Sequence, residues 1–173
     1  MQVHELVGVV LIAGLVVFLI GAGGWKLVDD QPMREALPVI HTDRRRRAWI
    51  HLWMIPAMFL TSAGMFGLAA VVGEGVAATL SLMAGVVYAL GAVCWIVSLA
   101  FRLTVVPLAA EQTVERGEMP EGFAALDGWA GWVGIVGGIL FAAGFLATRR
   151  EGPFNPPFWA HLYTAMIGIL LLS

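Results

Sequence analysis

Residues 6–25 read LVGVVLIAGLVVFLIGAGGW, twenty positions without one ionisable side chain. A helix that crosses a bilayer needs about 20 mostly apolar residues. The run lacks the alternation of a barrel strand, and a lipid-exposed backbone must satisfy its own hydrogen bonds, so it reads as a membrane helix. The apolar span extends from Val3 to Lys26. Four more runs of the same kind follow, at Ala48–Val72, Val76–Val106, Gly128–Ala147 and from Phe158 to Ser173. The expected fold is all-α, an integral membrane bundle of five helices, with residues 1–173 forming one transmembrane domain. The first residues, MQVHE, carry no lysine or arginine, and the run after them is too long for the core of a cleaved signal.

Composition agrees. Of the 173 residues, 60% are hydrophobic and 13% charged, against about 45–50% and 25% in soluble domains. That composition argues against a soluble domain and excludes a disordered chain. The single cysteine, Cys94, excludes a disulfide framework and any multi-cysteine metal or iron–sulfur site. Phosphate-loop, HExxH and GxSxG motifs are absent, and the loops are too short to house a soluble catalytic domain.

The placement of positive charge orients the chain. Lys26, Arg34, Arg44–Arg47, Arg102 and Arg116 fall on one side when the spans alternate, and only Arg149 and Arg150 on the other. Basic residues collect on the cytoplasmic face, which puts the N-terminus outside a plasma or inner membrane. Trp25, Trp49, Trp53, Trp129 and Trp132 then form a cytoplasmic-side aromatic belt, with Trp159 at the outer boundary. The Arg44–Arg47 run reads first as a topological anchor and second as a site for anionic lipid headgroups; nothing else points to nucleic acid. Glu111, Glu115, Glu118, Glu121 and Asp127 read as a solvated loop whose first part continues the third span past Pro107. A protein partner could dock on these cytoplasmic loops, and self-association is open.

Two segments resemble each other. Trp49-Ile50-His51-Leu52-Trp53 opens the second span, and Trp159-Ala160-His161-Leu162-Tyr163 opens the fifth. With alternating spans, the halves 1–110 and 120–173 would be antiparallel, the arrangement of a 3+3 inverted repeat. A sixth helix beyond Ser173 would complete it.

Ionisable groups at membrane depth are costly and often functional, which singles out the histidines. His4 and His161 are both expected at the outer level, on the first and fifth spans. Their imidazoles could ligate a haem b iron axially, with Gly8 leaving room for the ring and Trp159 covering its edge. His51 is a further candidate ligand at the inner level, with His41 in the basic loop beside it. The leading functional expectation is therefore a haem-binding electron-transfer subunit. The alternative is an inverted-repeat transporter or a copper-handling protein. His51, Met54, Met58, Ser62 and Met65 recur at steps of three and four and so share one helix face, and soft thioethers beside an imidazole suit Cu(I). The same stripe can be plain packing, which leaves a structural subunit with no cofactor as the third expectation.

Overall fold

The computed structural model describes residues 1–23, 32–141 and 156–173. The described residues are helical apart from short turns and contain no strand. The helices are α1 (Val3–Ala22), α2 (Met33–Thr42), α3 (Arg44–Val72), α4 (Val76–Arg116), α5 (Phe123–Phe141) and α6 (Pro156–Leu172). Three of them, α1, α3 and α4, are long and apolar enough to cross a membrane; the apolar parts of α5 and α6 are shorter. Val9, Val16, Leu19, Leu80, Met83, Leu90, Val93, Ile139, Ile169 and Leu170 all point outward. That apolar exterior is compatible with contact to a lipid bilayer.

Local chemistry sets several helix ends. The Glu5 carboxylate accepts the Gln2 N–H at 2.7 Å, which caps α1. Gly73 and Gly75 turn α3 into α4 at φ +88° and +94°, a backbone region that carries no Cβ penalty only for glycine. Arg46 pairs with Asp43 across the first turn of α3. The helix therefore starts at Arg44, within the arginine run, and not at Ala48, since arginine is a good helix former. α4 passes through Pro107 and ends at Arg116, so the expected continuation past Pro107 is present. Its 41 residues span about 61 Å at 1.5 Å per residue, about twice the thickness of a bilayer core.

Small residues bring the central helices together. A Cβ on Gly21 of α1 would lie 2.9 Å from the Ile50 carbonyl oxygen of α3. Gly14 meets Thr61, and Gly67 of α3 meets Val7 of α1. Residue numbers rise along one helix as they fall along the other, so α1 and α3 are antiparallel. At the α1–α6 crossing, a Cβ on Gly8 would lie 2.8 Å from the Gly168 carbonyl oxygen and one on Gly168 2.7 Å from that of Gly8. Further along, Phe18 packs on His161 and Phe158. Hence α6 is also antiparallel to α1.

This corrects two expectations. An inverted repeat would require α3 and α6, which carry the two WxHL segments, to run in opposite directions, but they run the same way. The N-terminal end of α6, with Trp159, lies toward the arginine-rich end of the bundle and not at the opposite boundary. A helix beyond the five expected spans is also present among the described residues. It is α2, within the segment read as a basic loop.

Beyond the central bundle, α2 packs on the distal half of α4 and on the start of α5. Ala36, Leu37 and Ile40 share one face of α2 and are buried against Phe101, Val106, Ala109, Ala110, Phe123 and Ala130. The rings of Phe101 and Phe123 stack at 6.1 Å and 13°. This helical cap sits at the arginine-rich end. It takes up part of what the sequence suggested was solvated loop.

Candidate functional site

The chemistry-bearing residues fall into two places, one in the middle of the bundle and one at its arginine-rich end. The first is centred on His161. The α6 helix is short, 17 residues, and lies against the middle of longer α1 and α3. Its histidine therefore faces Thr61, well inside α3, instead of reaching a boundary. His161 has no solvent exposure. Its Nδ1 lies 2.7 Å from Thr61 Oγ1, and Phe18 covers the ring with centroids 4.8 Å apart.

Several polar groups meet at the Thr61 hydroxyl. Thr61 Oγ1 lies 3.0 Å from the Ala57 carbonyl oxygen and 2.7 Å from His161 Nδ1, within hydrogen-bonding distance of both. The Tyr88 hydroxyl is a third hydrogen-bonding neighbour of the same oxygen. The other ring nitrogen, Nε2, is buried with no hydrogen-bond partner. Leaving such an atom unsatisfied costs about 1–3 kcal/mol. Gly14 makes the arrangement sterically possible, because a Cβ there would collide with the Thr61 hydroxyl.

The methionine stripe lies on the α3 face that carries Thr61. Met58 and Met65 stand three residues before and four after Thr61, on the same face of α3, and both are buried. Met65 belongs to an apolar cluster with Tyr88 and Ala160, the residue preceding His161. Met54 belongs to another with Phe18 and, at its edge, Phe158. The sequence treated the Met stripe and His161 as alternatives; in the structure His161 meets α3 at Thr61, on the face of the stripe.

Other pairings are not made. Phe18 is fourteen residues from His4, about 21 Å along α1, and His161 sits against Phe18. His4 and His161 therefore lie at different levels, and the expected haem ligation by that pair is not possible in this arrangement. The room expected beside Gly8 is filled by the backbone of Gly168. Trp159 is half exposed. His51 is buried but stands ten residues before Thr61, about 15 Å along α3. It lies within electrostatic reach of Arg102 and Arg47, an unfavourable setting for a bound cation. Among the described residues no three His, Cys, Asp or Glu side chains converge. Lys26, Arg149 and Arg150 lie outside the described residues.

The second place is a cavity of about 210 Å³ between α2, the first turns of α3, α4 and α5. Arg44, Arg47, His51, Arg102 and Asp127 line it, together with Met33, Ala36, Ile40 and Val106. Sequence reading treated Arg102 and Asp127 as loop or boundary charges. Only the crossing of α4 and α5 puts them beside the α3 arginines. No protein-family model matches the chain, and no curated protein or solved structure is significantly similar to it.

Proposed function

We propose that this chain is a membrane-embedded bundle that handles a soft metal ion, Cu(I), using His161 Nε2 with thioethers of the α3 stripe. The observation that carries the reading is the divided role of the two ring nitrogens. Nδ1 is tied to Thr61, while Nε2 is buried and unpartnered. Histidine ligands commonly take this form: the hydrogen bond at one nitrogen sets the tautomer and leaves the other free to coordinate. Met58 and Met65 add soft, neutral sulfur on the helix face that holds Thr61, and thioether and imidazole donors together favour Cu(I) over harder ions. Electron transfer through haem b would call on the same nitrogen, but it needs a flat slot and a second axial ligand, and His4 cannot supply one. The positive-inside rule orients the bundle with its arginine-rich end in the cytoplasm and the N-terminus outside.

The test is anaerobic titration of the purified protein with Cu(I) against a colorimetric chelator. The wild-type chain should retain about one ion, as a site with a single imidazole and two thioethers implies. His161→Gln should abolish retention, the paired change Met58→Leu and Met65→Leu should weaken it, and His4→Ala should leave it unchanged. Failure to retain copper, or retention indifferent to His161→Gln, overturns the proposal. A Soret band after haem supplementation that is lost in His161→Gln would reassign the nitrogen to haem iron.

A further inference from the structure

The cavity at the arginine-rich end has a composition of its own. Its lining holds three guanidiniums, Arg44, Arg47 and Arg102, and one carboxylate, Asp127. The count is thus three positive charges against one negative, with the His51 imidazole beside them. Arg47 and Arg102 both lie within electrostatic reach of that ring. Like charges gathered in a partly enclosed space repel, and desolvation sharpens the cost unless an opposite charge enters. Planar guanidinium forks match the oxygens of a phosphate group two at a time.

Size and depth narrow the ligand. At about 210 Å³ the cavity falls below the roughly 300–1,000 Å³ typical of sites for drug-sized molecules and cofactors. It fits a compact anionic group. Exposed Trp49, Trp129 and Trp132 lie on α3 and α5 close in sequence to the lining residues Arg47, Ala48, Asp127 and Gly131. Aromatic residues of this kind mark the level of lipid headgroups. The cavity also lies where the apolar bundle meets the helical cap, so its ligand would touch both.

We infer that this cavity is a binding site for a phosphate monoester or diester, gripped by Arg44, Arg47 and Arg102 and bounded by His51 on the bundle side. The inference is independent of the copper reading: it uses neither His161 nor the methionines. A phospholipid headgroup and a free phosphate present the same oxygens, and the experiment separates them. The full-length protein, purified in a neutral detergent, is examined by native mass spectrometry after exchange from vesicles of phosphatidylcholine and phosphatidylglycerol. In parallel, its thermal unfolding is followed with inorganic phosphate and with chloride at equal ionic strength.

Retention of phosphatidylglycerol, without stabilisation by inorganic phosphate, identifies a headgroup site. Stabilisation by phosphate beyond that by chloride identifies a site for the free anion. Either effect should weaken about tenfold or more in Arg102→Gln, the equivalent of one charge-assisted hydrogen bond. Arg45→Gln, in the same arginine run but not lining the cavity, should leave it unchanged. If Arg102→Gln does not fold, Arg47→Gln carries the same comparison. Absence of both effects in the wild-type protein overturns the inference, and so does equal loss in Arg45→Gln and the cavity variants.

Discussion

Thr61 does three jobs with one hydroxyl. It hydrogen-bonds to the Ala57 carbonyl and to His161 Nδ1, and it occupies the space that Gly14 leaves open. Replacing it with valine keeps the shape but leaves His161 Nδ1 unpaired in the interior. Thr61→Val should therefore destabilise the protein by about 1–3 kcal/mol. Thr61→Ser keeps the hydroxyl and should lose only the methyl contribution, about 1 kcal/mol. Reversible unfolding in mixed micelles measures both, and equal losses would show that the hydrogen bond contributes nothing. At this scale the sequence named most participants but not their grouping. His161, Met58 and Met65 were legible as chemical types. Thr61 was not, because a threonine inside an apolar run gives no sign that a histidine a hundred residues away will meet it.

At the scale of elements, α2 is the clearest omission from the sequence reading. Its ten residues are too few and too mixed to resemble a membrane span, and Pro38 lies inside it, a residue that ordinarily argues against a helix. The i, i+1, i+4 spacing of Ala36, Leu37 and Ile40 was the available signal. The face they form is stabilised by burial on α4 and α5, not by the helix's own propensity. Leu37 is fully buried, so Leu37→Ala should cost about 2–5 kcal/mol. Val39, on the exposed side, should tolerate alanine within about 0.5 kcal/mol. Similar losses at the two positions would mean that α2 does not dock as described.

At the scale of the whole molecule, direction decides the architecture. Alternating spans predict that the fifth run ends on the arginine side. The glycine contacts at Gly8 and Gly168 and the packing of Phe18 on His161 instead send the C-terminal end of α6 toward the end that holds the Gly73–Gly75 turn. In a Cys94→Ser background, single cysteines at Gly75 and Ser173 should react with an impermeant reagent from the same side of the membrane, and one at Thr42 from the other. Co-labelling of Ser173 with Thr42 would restore the alternating arrangement and the inverted repeat with it.

Apolar run length and the absence of strand alternation were enough to establish a helical chain suited to a membrane, because hydrophobic burial and backbone hydrogen bonding act along contiguous sequence. The tertiary structure decided which histidine meets Thr61, which arginines share a cavity with Asp127, and which way α6 runs. Each depends on the approach of residues far apart in the chain, controlled by glycine-sized gaps between helix backbones. Apolar spans of similar composition can pack in many orders and directions, and their hydropathy alone cannot distinguish among them.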